Sequence, residues 1–259
     1  SGESAAGHDF EVRLAKGDSI EICKFVAVHT SRDVAWRACK APPAMDQLRT
    51  AEQAGAEPDA SRGVSGCRLE HLEEWRRQWE RCDIRVDGPD RDQMAVRFAV
   101  YHLAAMGPQS DDRVSIAAKG IHGEGYKGHV FWDTEIFILP FYVAQFSDVA
   151  RRLLMYRYHT LPGARRKARE KGYRGAMYAW ESADSGDETT PKWSAPHPGT
   201  GERVRIWCGE LEDHITADVA YAVWNYCRWT GDRGFMKEHG MEMIVGAARF
   251  WASRAQWNE

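Results

Sequence analysis

Long apolar runs, an excess of one charge and paired cysteines are all missing from this sequence. Its longest apolar run, IFILPFYVA, is too short to span a bilayer. With 35 basic and 38 acidic residues the net charge is −3, which favours neither nucleic acid nor an anionic membrane as a partner. The six cysteines form no C-x-x-C pair, and SGESAAGHDF lacks the regions of a signal peptide. We therefore expect a cytoplasmic protein with reduced thiols and no metal site.

What the sequence does contain is an ordinary globular balance and many tryptophans. Hydrophobic residues make up 43% of the chain and charged residues 28%. There are eleven tryptophans, whose flat rings stack on apolar faces such as that of a pyranose sugar. A large aromatic core explains the same composition, so composition alone leaves both interpretations open.

The pattern along the chain predicts three parts. Residues 8–30 alternate around a KGD turn and predict a two-stranded hairpin, which is marginal by itself and belongs with a larger sheet. Residues 41–66 are rich in Ala, Gly, Pro and Ser and read as a linker. From Cys67 onward the periodicity is helical, so we predict a mainly α chain with parts at 1–40, 41–85 and 86–259.

About seven helices are predicted after residue 67. Apolar spacing or start and stop residues place them at these positions: 68–81, 91–106, 133–145 with an interruption at Pro140, 147–160, from Pro162 to Gly172, 213–230 with a stop at Gly231, and from Gly234 to the end. Two long connections, 107–131 and 173–209, hold many Trp, Tyr, His, Glu and Asp residues. Loops of this length inside a compact domain are typical of functional sites.

The stretch FWDTE raises a specific question about Asp133. This carboxylate adjoins the apolar run IFILPFYV, where a buried charge is costly unless something pairs with it. Either Asp133 caps a helix, or it binds a polar ligand.

Several motifs together resemble glycoside hydrolase family 65. They are GEGYKGHVFWDTEIFILPF, RRLLMYRYHTLPGARRKAREKGYRGAMYAWESADSGDE and EDHITADVAYAVW, and the likeness runs in order from about Trp75 to Trp251. The resemblance implies an N-terminal β-sandwich ending within residues 1–40, a helical linker and an (α/α)6 barrel. The strand, linker and helix order found above agrees with it.

The resemblance also implies an activity. The family includes phosphorylases of maltose, trehalose, kojibiose and nigerose, which cleave an α-linked glucose disaccharide with inorganic phosphate and release β-glucose 1-phosphate with inversion. Phosphate is then the co-substrate, no other cofactor is implied, and the full-length enzyme is expected to be a homodimer. WESADSGDETTPKW resembles the kojibiose-type members more than the maltose phosphorylases. A trehalase-like hydrolase and a non-catalytic sugar-binding fragment stay open as alternatives.

By the same resemblance, substrate-binding roles fall on five residues: Trp132, Asp133, Trp180, Glu181 and His214. A helix cap, core packing or a solvated carboxylate would explain each of them without a ligand. Tyr126 and His129 are weaker candidates for the pocket wall. Glu135 invites assignment as the general acid, but the family's acid lies elsewhere.

The family's general acid is the Glu of a Gly-Pro-Asp-Glu segment after the helix that here ends in ARFWASR. The sequence stops at Glu259, and GPD at 88–90 is followed by Arg91, so we expect no catalytic residue in this chain. The pattern also gives about half the helices of an (α/α)6 barrel. We therefore expect an internal segment of a larger enzyme, or one part of a split chain, that is inactive alone.

Overall fold

The structure, a computed structural model, describes residues 11–20, 63–123 and 125–256. The chain divides into two compact units, Ser1–Arg77 and Gln78–Glu259. In the first unit the predicted turn is present, where Asp18 N donates to Ala15 O at 3.0 Å. The predicted strands do not form within residues 11–20, which are fully exposed and have no packed face to stabilise a ladder. The rest of the predicted hairpin and most of the linker lie outside the described residues, so the β-sandwich remains a prediction.

Helices dominate the described ranges. They are α1 Gly63–Cys82, α2 Asp90–Met106, α3 Leu139–Gln145, α4 Ser147–His159, α5 Leu161–Glu170, α6 Cys208–Leu211, α7 Ile215–Thr230, α8 Arg233–Phe235 and α9 Met241–Arg254, with π-helical turns at Thr134–Ile138 and Met236–Gly240. Two isolated β-bridges, Val130 with Ser182 and Trp193 with Arg205, are the strand-like pairings in this part of the chain. None of the helices in the described ranges has the length and apolarity needed to cross a membrane.

The predicted helices are confirmed, with differences in detail. The helix expected from Gly234 to the end is α8 and α9 joined by a π-helical turn, and the short α6 was not predicted. The helix expected at 133–145 is a π-helical turn followed by α3. Pro140 does not interrupt it, because it lies in the first turn of α3, where a proline needs no intrahelical donor. The predicted stop at Gly231 is also confirmed, since this residue has a φ of 72° and its N–H donates to Cys227 O at 3.0 Å.

Helix α7 is the centre of the second unit. It contacts α3, α4, α9 and both π-helical turns. The face predicted from the sequence is the buried one, and it comprises Ile215, Val219, Ala222 and Tyr226. Burying this face of α7 holds the residue that precedes it, His214, beside the turn that starts at Thr134.

Helix α2 presents its predicted apolar face outward. Met94 and Phe98 are each 66% exposed, and Tyr101 is 41% exposed, whereas Val100 and Ala104 on another face are buried. The periodicity therefore identified the helix and the apolar stripe, but this stripe is not part of the core.

Candidate functional site

A short antiparallel bridge joins the two chain segments that carry the predicted site residues. Val130 N donates to Ser182 O at 2.9 Å, and Ser182 N donates to Val130 O at 3.0 Å. The bridge holds the FWDTE stretch next to the WES stretch, although about fifty residues separate them in sequence. Two long loops that sequence reasoning treated separately therefore form one site.

Three of the predicted residues form an aromatic group. The ring of His214 lies 4.7 Å from that of Trp132 and 5.6 Å from that of Trp180, and both contacts are edge-to-face. All three side chains are partly exposed. The group therefore has apolar rings that are both held by their neighbours and accessible to a ligand.

Asp133 stands at the start of the π-helical turn, beside Trp132. It occupies the N-cap position but makes no side-chain capping bond, and it has no hydrogen bond or ion pair with another described residue. Its side chain is partly exposed, whereas the next two residues, Thr134 and Glu135, are buried. The helix-cap alternative is therefore wrong for this carboxylate, which has all its acceptor capacity available.

Glu181, expected to contact the sugar, is already paired with another side chain. Its side chain is 7% exposed, and Oε1 lies 2.6 Å from Nδ1 of His129. The Thr189 hydroxyl donates to the Glu181 carbonyl at 2.8 Å. Glu181 and His129 thus form a nearly buried pair in which only the remaining oxygen of the carboxylate is uncommitted.

His214 is hydrogen-bonded through one ring nitrogen and has a second carboxylate further away on the other. Nδ1 lies 2.7 Å from Oδ2 of Asp218, one turn further along α7, and Nε2 lies 3.7 Å from Oε2 of Glu212. The Asp218 carboxylate therefore fixes the orientation of the ring that contacts Trp132 and Trp180.

Tyr126 lies at the edge of this group. Its ring is 4.9 Å from that of Phe131, the residue before Trp132, and its side chain is 53% exposed. Tyr126 and Lys127 both adopt left-handed backbone angles, with φ of 60° and 56°, which L-residues with side chains rarely occupy.

Arg157 is a site-building residue that sequence reasoning missed. It is fully buried on α4 and donates to both oxygens of Glu135 at 2.7 Å, to the Phe131 carbonyl at 2.8 Å and to the Ser182 hydroxyl at 3.3 Å. One guanidinium thus links the FWDTE and WES stretches. Glu135 is committed to this pair and enclosed, which agrees with its rejection as the general acid.

Glu188 is the second residue that was missed. Its carboxylate accepts from the backbone N–H of Trp180 at 2.9 Å and of Glu181 at 3.3 Å, and from Lys167 Nζ at 2.5 Å. Burial opposes its ionisation, but the charge of Lys167 and the hydrogen bonds donated by Lys167, Thr190 and Trp180 outweigh burial and lower the pKa of Glu188. The signal for Arg157 was a charge between aromatic neighbours in MYRYH. Glu188 lies in the polar stretch SGDETT, where nothing in the sequence marks a buried carboxylate.

Within the described ranges, no three or more His, Cys, Asp and Glu side chains are grouped to hold a metal ion. Accessible tryptophan rings beside an uncommitted carboxylate are instead the chemistry of a carbohydrate site, because rings stack on a sugar face and a carboxylate accepts from paired hydroxyls. The described part of the chain is therefore a helical domain in which accessible aromatic rings and an uncommitted carboxylate share one site.

Comparison with known families identifies this domain. The model of the glycosyl hydrolase family 65 central catalytic domain matches residues 97–259. The chain belongs to this family.

Proteins of known name give the same result. The chain is 52% identical to the kojibiose phosphorylase of Halothermothrix orenii, over 96% of this chain and 32% of that protein. It is 46% identical to the kojibiose phosphorylase of Escherichia coli, over 82% of this chain and 28% of that protein. It is 40% identical to the kojibiose hydrolase of Flavobacterium johnsoniae, over 77% of this chain and 27% of that protein. The chain thus spans about a third of the curated relatives it matches.

A solved structure agrees at the level of the fold. A candidate kojibiose phosphorylase from the human microbiome superposes with a TM-score of 0.70 at 27% identity, over 84% of this chain and 27% of that protein. The mainly helical architecture predicted from the sequence is therefore confirmed.

Proposed function

We propose that the chain is part of an inverting disaccharide phosphorylase that cleaves an α-linked glucose disaccharide with inorganic phosphate. The products are β-glucose 1-phosphate and the released sugar. The observation that carries the proposal is the uncommitted carboxylate of Asp133 next to Trp132, whose ring packs against His214, in a family 65 catalytic domain. Relatives named kojibiose phosphorylase, at 44–52% identity, favour the α-1,2-linked disaccharide as the substrate.

In this proposal Asp133 and Trp132 bind the glucose residue that is transferred. An ionised carboxylate accepts from two sugar hydroxyls, and each charge-assisted bond contributes about 1.5–3 kcal/mol. Trp180, across His214 from Trp132, supplies a second apolar wall. Together these contacts hold and orient the ring while its anomeric bond is exchanged.

The bond exchange needs a nucleophile and a proton donor. A phosphate oxygen attacks the anomeric carbon, the glycosidic carbon–oxygen bond breaks, and a carboxylic acid protonates the departing oxygen. Glu135 is bound to Arg157 and Glu181 to His129, so neither is free for this role. We assign the acid to the family's Gly-Pro-Asp-Glu segment, which is not in the printed sequence. The homodimer, the barrel of six hairpins and the cytoplasmic location belong to the same proposal.

A family 65 hydrolase is the second candidate, because the Flavobacterium johnsoniae relative is named a kojibiose hydrolase. One assay separates the two. The full-length protein that carries this sequence is incubated with kojibiose, maltose, trehalose or nigerose, with and without phosphate. We expect phosphate-dependent β-glucose 1-phosphate from kojibiose, with the anomer assigned by NMR. Glucose release at the same rate without phosphate would show the hydrolase, and inactivity on all four sugars would refute the proposal.

A further inference from the structure

The connection 173–209, which carries the WES stretch and is called the WES loop below, contains one carboxylate with more hydrogen-bond donors than a solvated glutamate requires. Besides the backbone N–H groups of Trp180 and Glu181, Glu188 accepts from the N–H of Thr190 at 3.2 Å and from its hydroxyl at 2.6 Å. Both oxygens therefore bind the backbone or the side chain of the loop that carries the two sugar-contact candidates. Peptide N–H groups that share one acceptor are fixed relative to one another.

Lys167 fixes this carboxylate in turn. It lies on α5, its side chain is 6% exposed, and Nζ is 2.5 Å from Oε2 of Glu188. A buried ammonium has few alternative partners, so the ion pair anchors the loop to a helix of the core. A buried ion pair contributes little net stability. The main effect of the Lys167–Glu188 pair is therefore on the conformation of the loop.

The carboxylate next to Glu188 in the sequence has a more exposed partner. The neighbouring carboxylate, Asp187, pairs with Arg166 at 2.6 Å, but its side chain is 50% exposed and that of Arg166 is 41% exposed. Within the described residues, none of the hydrogen bonds of Asp187 reaches Trp180 or Glu181, so Asp187 is a matched comparison for Glu188.

We propose that Glu188, anchored by Lys167, is a positioning residue that sets the orientation of Trp180 and Glu181 toward the bound disaccharide. It does not touch the sugar itself, and it acts through the two backbone N–H groups. The inference rests on the proposed function, because it takes the disaccharide as the ligand of Trp180 and Glu181. The low pKa of Glu188 keeps the acceptor charged across the neutral range, as the role requires.

The test uses the full-length protein and four variants. Glu188→Gln keeps the shape but removes the charge, and Thr190→Val removes one donor without leaving a buried charge unpaired. We expect KM for kojibiose to rise about tenfold in Glu188→Gln and a few-fold in Thr190→Val. The reason is that displaced Trp180 and Glu181 lose binding free energy equivalent to about one or two hydrogen bonds with the sugar. Asp187→Asn should stay within twofold of the wild type. If Glu188→Gln fails to fold, Thr190→Val carries the same comparison.

The fourth variant, Glu181→Gln, separates positioning from general loosening. If Glu188 acts through Glu181 and Trp180, its effect on KM shrinks when Glu181→Gln is already present, whereas independent effects multiply. Multiplying effects, or variants with the kinetics of Asp187→Asn, would overturn the inference while leaving the phosphorylase intact. A wild type that neither cleaves kojibiose nor binds it by calorimetry would overturn the proposed function and this inference with it.

Discussion

Asp133 has the least ordinary environment of any residue in the site. It follows Trp132 and precedes two buried residues, yet it makes no capping bond and no ion pair with the described part of the chain. A carboxylate that makes no hydrogen bond to the described residues has its acceptor oxygens available for a ligand. The structure thereby excludes a capping bond for Asp133, and sugar binding by this residue stays a prediction.

Changing Asp133 to Asn in the full-length enzyme should lower kcat/KM for the disaccharide by about 10²-fold, because the charge and one strong acceptor are lost where sugar hydroxyls bind. The melting temperature should change little, since no bond within the described structure is broken. Trp132→Phe should weaken sugar binding more than it weakens stability. Near-full activity of Asp133→Asn on every disaccharide tried would show that this residue has no role in the site.

Arg157 is the opposite case, because all its bonds are internal. Arg157→Met should destabilise the fold by about 3–5 kcal/mol, since it leaves the buried carboxylate of Glu135 without a counter-charge. Urea denaturation of the full-length protein, followed by circular dichroism, measures the change.

The control for Arg157 is Arg152→Met, on the same helix. Arg152 pairs with Asp148 at the surface, where an ion pair contributes about 0–1 kcal/mol. The double change of Glu135 and Arg157 to Met should recover much of the lost stability, because no buried charge is then unpaired. Equal losses from Arg157→Met and Arg152→Met would contradict this account.

At the scale of elements, periodicity and start and stop residues were sufficient to place the helices. Apolar spacing found the buried face of α7, and Gly231 marked its end correctly. The pairing of Val130 with Ser182 could not be predicted, because a single bridge between irregular loops has no alternating pattern. The π-helical turn at Thr134–Ile138 was missed for a related reason, since nothing in TEIFI distinguishes it from an α-helical start.

The packing of α5 against the WES loop depends on a glycine. Gly186 has a φ of 72°, and a Cβ there would lie 2.5 Å from both Cβ and the carbonyl oxygen of Thr160. A methyl group at this position has no room, so the loop must move away from the residue that precedes α5.

Gly186→Ala should therefore lower the free energy of unfolding by about 3 kcal/mol, because the strain of a left-handed backbone at alanine adds to the overpacking against Thr160. Gly172→Ala is the matched control, because Gly172 has a φ of 78° with nothing within 4 Å of its Cβ position, so only the strain of about 1–2 kcal/mol remains. Thermal melts give both values. kcat/KM should fall only for Gly186→Ala, and similar behaviour of the two variants would show that close packing at Thr160 is unimportant.

At the scale of the molecule, the family motifs carried most of what could be predicted. The resemblance pointed to Trp132, Trp180 and His214, and the structure brings these rings together. It did not reveal that Glu181 is paired with His129, or that Arg157 and Glu188 build the site. Such roles depend on which buried groups meet across the fold, and a single sequence records residue types but no tertiary contacts.

The last prediction concerns the 259-residue chain produced alone. It exposes large apolar side chains on α2 and α7, with Phe98 66%, Trp224 43% and Trp229 73% exposed. Exposed apolar patches promote association, so we expect oligomers by light scattering at micromolar concentration and strong binding of a hydrophobic dye. Changing Trp224 and Trp229 to Ser should reduce association, whereas Trp193→Ser, on an irregular loop and 52% exposed, should not.

The chain alone should form no β-glucose 1-phosphate, because the Gly-Pro-Asp-Glu segment that we propose as the source of the general acid is not in this sequence. A monomer with a sharp melt, or measurable phosphorolysis, would contradict this prediction.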